Sequence, residues 1–206
     1  MRKLGLLLGS FDPIHVAHVV MAAQVVNSGL CDKVLFVVAN HNPWKENAPA
    51  PFDIRCKMVE KAIEPLGDKA EVCRFEEEFE PPVYSYLPIN KVLETYPDDE
   101  IYVIAGTDTI GLIPNWKNFE TNIKDKVKFI EVMRGHDSII ADDPIPFKVQ
   151  GKAACSSMEV TMLEIQKMDV SSTIVRNMVL NGMNPYPYVT KEVLQIIKEN
   201  DLYQNG

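Results

Sequence analysis

Two histidines close to the front of the chain, His15 and His18, are residues whose type and spacing allow chemistry. They follow an apolar run, Leu4–Leu8, which ends at Gly9 and is typical of a buried parallel strand. Pro13 excludes its predecessor from the helical region, so the pattern predicts that a helix begins at His15. Residues three apart share a helix face, and a helix start offers N–H groups without helical partners. The pair therefore predicts an anion site that suits phosphate.

The same residues allow plainer interpretations. Glycine-containing turns between strand and helix serve packing alone in many α/β folds, and two histidines spaced by three are also half of a zinc site or a pair of solvated imidazoles. Zinc is disfavoured because no HExxH or CxxC pattern accompanies the pair. From the spacing alone, the phosphate site and the structural turn stay equally open.

A second candidate anion site lies near the end of the chain, where Ser171, Ser172 and Thr173 precede a helical pattern. Hydroxyl residues just before an apolar-periodic helix cap its N-terminus and leave hydroxyls to spare. Arg176 follows within about one helical turn. Most such clusters are only caps, so this pattern is a modest signal by itself.

Together the two patterns resemble a known family. GSFDPIHVAH, at residues 9–18, resembles the signature of the HxGH nucleotidyltransferases in the form found in bacterial nicotinate (nicotinamide) mononucleotide adenylyltransferases. SSTIVR, at residues 171–176, resembles the ISSTxxR motif of that family, in the expected order and distance. Three positions depart from the family pattern. Leu8 and Ala17 replace glycines, and Leu87 replaces a threonine that lies near the pyridine ring.

The resemblance implies an enzyme that transfers the adenylyl group of ATP to nicotinate mononucleotide in NAD biosynthesis, with nicotinamide mononucleotide as a second candidate acceptor. It implies no dedicated protein ligands for a metal. Mg²⁺ would arrive on the ATP phosphates, with Asp108 as a candidate ligand. Alternatives within the superfamily are pantetheine-phosphate adenylyltransferase and the cytidylyltransferases. A nucleotide-binding regulator with weakened catalysis is an alternative of a different class.

The resemblance also assigns roles to individual residues. His15 and His18 are the expected catalytic residues. The expected ATP-binding residues come from the two motifs and are Gly9, Ser10, Phe11, His15, His18, Ser171, Ser172, Thr173 and Arg176. The expected mononucleotide-binding residues follow several strands and are Ser10, Lys45, Tyr84, Ser85, Gly106, Asp108, Trp116 and Arg134. Without the resemblance, a solvated lysine is the favoured interpretation of Lys45 and a core residue that of Trp116, while Arg134 is also compatible with a surface ion pair and Asp108 with a helix cap.

The elements that must position these residues alternate between strand and helix, which predicts an α/β fold. We expect a single domain over residues 1–206, built on a doubly wound parallel sheet with a C-terminal helical segment; the resemblance adds a Rossmann-like nucleotidyltransferase fold. Strands are predicted at 33–39, 69–73, 100–105, 126–132 and 158–165, and helices at 52–63, 86–96 and after 171. Residues 137–157 are aperiodic and predict a loop, and Glu76–Glu80 predicts a solvated face.

The composition limits which classes of partner the protein can bind. The chain has 206 residues, 46% hydrophobic and 24% charged, as expected for a globular domain with one substantial core. Its net charge of −8 disfavours nucleic acid and anionic membranes as partners. No apolar stretch approaches the about 20 residues of a membrane span, so a cytoplasmic protein is expected. Four scattered cysteines predict free buried thiols. The sequence is compatible with a homo-oligomer.

Overall fold

The computed structural model describes residues 1–40, 50–134, 147–155, 158–166 and 168–204, and for residues 134 and 152–155 it describes the backbone alone. Within these ranges seven strands form one sheet. The strands are β1 Lys3–Gly9, β2 Lys33–Val38, β3 Ala70–Cys73, β4 Glu100–Gly106, β5 Lys128–Arg134, β6 Phe147–Cys155 and β7 Met158–Ile165. The helices are α1 Val16–Asn27, α2 Phe52–Ile63, α3 Tyr86–Thr95, α4 Thr107–Ile110, α5 Phe119–Asn122, α6 Ser172–Leu180 and α7 Lys191–Glu199.

The strand order is β3-β2-β1-β4-β5-β7-β6. Every neighbouring pair is parallel except β6 with β7, which are antiparallel. The predicted doubly wound parallel sheet is therefore confirmed, with an antiparallel strand added at one edge. The chain moves outward from β1 in one direction to β3 and then returns to β4 on the other side of β1. Ligands of open α/β sheets bind outside the carboxyl ends of the strands at such a switch point.

Two apolar cores cover the two faces of the sheet. The first core joins one face to α1, α2, α6 and α7, and the second joins the other face to α3, α4 and α5. Alternation along β1 supplies both, since Leu7 belongs to the first core while Leu4 and Leu6 belong to the second. Because β1 is buried on both faces, the two cores hold the loop at its carboxyl end in place.

Helix α1 has a different buried face from the one that its pattern favours. Val16, Val19, Val20 and Ala23 have helical spacing, yet the buried residues are Ala17, Met21, Ala22 and Val25. The helix is apolar almost all round, so periodicity does not fix its orientation. Two of the four buried side chains are alanines, which let the helix approach the sheet closely.

Two further predictions are wrong. Residues 147–155 form β6 instead of a loop, and their alternation is hidden by a register shift between Val149 and Gly151. Within the predicted solvated run, Glu76 is only 5% exposed, because a short 3₁₀ helix at Phe75–Glu78 turns it inward. Residues 137–146 of the predicted loop lie outside the described residues.

Cys31, Cys56 and Cys73 are buried free thiols, as expected, and the side chain of Cys155 is not described. Burial raises the pKa of Cys31 to about 12. A thiol in this environment stays protonated and unreactive. None of the described helices has the length and apolar composition that a membrane span requires.

Candidate active site

The loop that leaves β1 packs on its own aromatic side chain. Phe11 has a left-handed backbone (φ 47°) and is 3% exposed. A Cβ on Gly9 would lie 3.0 Å from the Phe11 ring, so a side chain at this position would require the ring to shift. The Phe11 ring also meets His18 edge-on, with 5.1 Å between ring centroids. The loop conformation and the position of His18 therefore depend on one another.

His15 and His18 lie together at the start of α1, as predicted. His15 is the N-cap residue, and its ring stacks on that of His18 with 3.8 Å between the ring centroids. The backbone N–H of His15 donates to Nδ1 of His18 over 3.3 Å. Since Nδ1 accepts this bond, a neutral His18 carries its proton on Nε2, where it can be donated to a phosphate oxygen.

Helix α6 brings the second motif onto the same loop. The Oγ of Ser172 donates to the carbonyl of Pro13 over 2.8 Å, and Nη1 of Arg176 donates to the carbonyl of Asp12 over 2.6 Å. Nη2 of Arg176 donates to Oγ1 of Thr173 over 3.2 Å, which fixes the plane of the guanidinium. The two motifs lie about 160 residues apart in the chain and form one continuous structure.

The hydroxyls of the second motif have different partners. Ser171 is the N-cap of α6, and its Oγ accepts from the backbone N–H of Ile174 over 3.2 Å. The hydroxyl of Ser172 is engaged with the loop. Thr173 uses its hydroxyl oxygen as an acceptor and Arg176 uses two of its five N–H groups, so the Thr173 hydroxyl proton and the other guanidinium N–H groups are the donors of this motif that suit an anion, with the first N–H groups of the helix beside them.

Asp12 connects the loop to Ala50 and to Tyr203 near the end of the chain. Sequence analysis did not predict either contact. The Asp12 carboxylate is 7% exposed, and Oδ1 accepts from the hydroxyl of Tyr203 over 2.7 Å and from the backbone N–H of Ala50 over 3.1 Å. Oδ2 lies 3.9 Å from Nη1 of Arg176. Burial and the neighbouring Asp12 carboxylate raise the pKa of the Tyr203 phenol. Tyr203 therefore stays a hydrogen-bond donor at any physiological pH.

Arg55 binds the same loop from α2. It is 1% exposed and donates to the carbonyls of Ser10 (2.7 Å), Ala39 (2.5 Å), Ala50 (2.7 Å) and Asn40 (3.3 Å). Burial lowers its pKa, although a guanidinium stays charged. Sequence analysis also missed Arg55 as a site residue, although its spacing along α2 could have indicated that it is buried. Position 55 shares the buried face of α2 with Met58, Val59 and Ala62.

Glu76 compensates part of this buried charge. Its Oε2 accepts from the backbone N–H of Asn40 over 2.9 Å. Burial raises the pKa of Glu76 to about 7, against the opposing effects of that N–H and of Arg55. The polypeptide that leaves β2 is thus held at its carbonyls by Arg55 and at one N–H by Glu76.

The expected acceptor residues include Gly106, which ends β4, and Trp116, which packs against the second core. Trp116 and Tyr86 are half-buried and pack against that core, as does Leu8 at the end of β1. The aromatic ring of Tyr84 lies 4.2 Å from Nζ of Lys117, measured to the ring centroid. Lys117 was not among the expected residues. The segments around 84 and 116 therefore lie side by side, and we term them the acceptor half of the crevice.

Other expected acceptor residues occupy different environments. Ser85 is the N-cap residue of α3 and makes no side-chain capping bond. A Cβ on Gly106 would meet no heavy atom closer than the Val132 carbonyl at 4.0 Å, so packing does not require glycine there. Asp108 is exposed in the first turn of α4. Lys45 lies outside the described residues, and the side chain of Arg134 is not described.

The three departures from the family pattern have structural accounts. Ala17 is 5% exposed, and its methyl group belongs to the first core. Leu8 is half-buried on the second core. Leu87 lies in the first turn of α3, and its N–H donates to the carbonyl of Tyr84 over 2.9 Å. Ala17 and Leu8 thus add apolar contact where the family pattern has glycine, whereas the contact shown for Leu87 is made by its backbone.

The fold and this site define a class of nucleotide-binding α/β proteins. In this class an HxxH turn follows the first strand of a parallel sheet, and the start of a later helix, which carries serine, threonine and arginine, packs against that turn. Residues 6–178 match the model of the cytidylyltransferase-like family. The chain belongs to the cytidylyltransferase-like nucleotidyltransferases and, within them, to the nicotinate-nucleotide adenylyltransferase family.

Individual comparisons support the narrower assignment. A probable nicotinate-nucleotide adenylyltransferase of Lactococcus lactis is 32% identical over 206 residues, which cover 98% of this chain and 96% of the relative. The corresponding protein of Clostridium tetani is 30% identical over 99% of this chain and 100% of its own. The Plasmodium falciparum nicotinic acid mononucleotide adenylyltransferase complexed with NaAD shares the fold, with a TM-score of 0.77, 20% identity and coverage of 100% and 99%.

Proposed function

We propose that this enzyme transfers the adenylyl group of ATP to nicotinate mononucleotide, with release of pyrophosphate. The observation that carries the proposal is the joining of the two motifs, in which Arg176 and Ser172 bind the carbonyls of Asp12 and Pro13 directly before His15. Two imidazoles, a guanidinium and two helix starts then face one region, which suits a triphosphate. Family membership supports the choice of substrates.

The reaction needs positioning and charge stabilisation. An oxygen of the acceptor phosphate attacks the α-phosphorus in line, a P–O bond forms, and the bond from the α-phosphorus to the bridging oxygen of pyrophosphate breaks. His15 and His18 hold the ATP phosphates, and Nε2–H of His18 stabilises the charge that develops on the leaving pyrophosphate. Arg176, Thr173 and the N-terminus of α6 bind the β- and γ-phosphates. Backbone groups of Gly9 and Ser10 meet the acceptor phosphate.

The loop is held in its productive shape before substrate arrives. Arg55, Arg176 and Ser172 take up the carbonyls of Ser10, Asp12 and Pro13. Groups fixed by packing and hydrogen bonds need little reorganisation at the moment of reaction, which is how such sites lower a barrier.

Magnesium fits this site as a companion of ATP. Among the described residues no group of three His, Cys, Asp or Glu side chains is arranged to hold a metal, whereas Asp108 presents an exposed carboxylate at the carboxyl end of β4. Oxygen ligands of this type, together with phosphates and waters, suit Mg²⁺. When bound, the ion would neutralise part of the triphosphate charge, and Asp108 would contribute one ligand.

The test is pyrophosphate release from ATP or CTP with nicotinate mononucleotide, nicotinamide mononucleotide and phosphopantetheine as acceptors. We expect release with ATP and nicotinate mononucleotide. Preference for phosphopantetheine or for CTP would assign the chain to another activity of the superfamily. No release with any combination, together with nucleotide binding, would identify a regulator.

A further inference from the structure

One cation in the acceptor half of the crevice was not expected from sequence. Lys117 follows Trp116 directly, and its Nζ lies 4.2 Å from the centroid of the Tyr84 ring. An ammonium over the face of an aromatic ring is attracted to the ring and held there. The contact joins two segments more than 30 residues apart in the chain and fixes the position of the charge beside the aromatic wall.

This charge is available for an anion. Lys117 makes no ion pair with a carboxylate of the described residues, whereas Lys91 of α3, which also lies over an aromatic ring, has its Nζ 2.8 Å from Oε2 of Glu78 and is thereby compensated. An ammonium on an aromatic ring keeps donors that point away from the ring. Lys117 can therefore meet a ligand without first losing an ion pair.

The side chains around Lys117 indicate which kind of ligand would fit beside it. Trp116 directly precedes Lys117 and packs half-buried against the second core, and the half-buried Tyr84 ring contacts the Lys117 ammonium, so the neighbourhood is aromatic. Flat rings bind between such side chains by stacking. An aromatic wall with an uncompensated ammonium at its edge suits a flat heteroaromatic ring that carries a negative group.

We propose that Lys117 is a specificity-determining residue, which binds the carboxylate on the acceptor's pyridine ring and so selects nicotinate mononucleotide over nicotinamide mononucleotide. The inference rests on the proposed function. The two acceptors share the ribose and the phosphate and differ in a carboxylate against a neutral carboxamide. A charge-assisted hydrogen bond from the ammonium favours the carboxylate alone.

The experiment compares kcat/KM for both acceptors in the wild type and in Lys117→Met and Lys117→Arg. We expect Lys117→Met to lower kcat/KM for nicotinate mononucleotide roughly tenfold, mainly through KM, because a partly exposed charge-assisted bond contributes about that much. The value for nicotinamide mononucleotide should change less than about twofold, within the usual effect of a surface substitution. Lys117→Arg keeps the charge and should retain most of the selectivity.

Lys126→Met is the matched control, since it removes an exposed lysine from the same stretch and changes the net charge equally. It should leave both values at the wild-type level. If Lys117→Met lowered kcat/KM equally for the two acceptors, the proposal would be overturned and the lysine would be assigned to the shared phosphate. Unchanged kcat/KM values for both acceptors would also overturn it. Wild-type enzyme that releases pyrophosphate with neither acceptor would refute the proposed function itself, and this inference with it.

Discussion

The two halves of the crevice are built differently. In the ATP half, at the starts of α1 and α6, buried polar groups hold one another through hydrogen bonds of 2.5 to 3.3 Å, with Asp12 and Arg55 as the main partners. In the acceptor half, the side chains of Tyr84, Trp116 and Lys117 are half-buried or exposed and meet mainly through ring contacts. The first half is fixed before binding, whereas the second is left open to its ligand.

The difference corresponds to the two tasks. A triphosphate must be oriented in line with the attacking oxygen, and rigid donors supply that orientation. An acceptor is chosen by ring shape and charge, which a few exposed side chains can read. Substitutions in the ATP half should therefore affect chemistry and stability with every acceptor, and substitutions in the acceptor half should affect selectivity.

The largest effect is expected from His18→Ala. Loss of a donor that stabilises developing charge should lower kcat on the order of 10²–10³-fold, equally for both pyridine acceptors. Because His18 also contacts His15 and Phe11, His18→Asn is the companion variant, and circular dichroism and melting temperature check that each variant is folded. Wild-type turnover in a folded His18→Ala enzyme would remove this residue from the mechanism.

Glu76→Gln tests the buried charges of the fixed half through the pH dependence of stability. The pKa of Glu76 is raised from an ordinary 4.5 to about 7, so the folded protein binds this proton more tightly than the unfolded chain does. The associated stability is fully present below pH 4.5 and is lost as the pH rises to about 7. Relative to the wild type, the variant should gain about 3 kcal/mol in free energy of unfolding across this range.

Urea denaturation at pH 4.5, 6 and 7.5 measures this change. Glu77→Gln is the control, because Glu77 is exposed and its hydrogen bond with Arg74 lowers its pKa. Its difference from the wild type should stay flat over the same range. A constant difference between Glu76→Gln and the wild type would show that Glu76 does not titrate there.

The smallest effect is expected from Tyr203→Phe, which removes one hydrogen bond to the Asp12 carboxylate and keeps the ring. A bond to a charged group contributes about 1.5–3 kcal/mol, and the free energy of unfolding should fall by about that amount. Denaturant unfolding measures it. Tyr186→Phe, at an exposed tyrosine, should change the value by less than about 0.5 kcal/mol. Equal stability of Tyr203→Phe and the wild type would contradict the role given to this contact.

Sequence patterns predicted the parts of the molecule that depend on local physics. The bounds of α2 and β7, the helix start at His15 and the cap at Ser171 follow from periodicity and capping preferences, and the structure confirms them. The meeting of the two motifs followed from their resemblance to one family. Such features are encoded within a few residues of one another or in a recognisable pattern.

The features that were missed depend on distant partners. Tyr203 binds Asp12 across 191 positions, and nothing near either residue marks the pair. Glu76 belongs to a run of acidic residues, and only its short 3₁₀ helix and the buried Arg55 turn it inward. Lys117 could not be predicted for the same reason. A lysine after a tryptophan indicates no binding role in sequence, and its contact with Tyr84 is known only from the structure.

The central claim is that Arg176 binds ATP and Lys117 binds the acceptor. Its most direct test is the pair of Michaelis constants in Arg176→Gln beside Lys117→Met. The account predicts that Arg176→Gln raises KM for ATP at least tenfold, the scale of a lost charge-assisted bond, and raises KM for nicotinate mononucleotide much less, while Lys117→Met has the reverse pattern. Equal changes of both constants in either variant would contradict the division of the crevice.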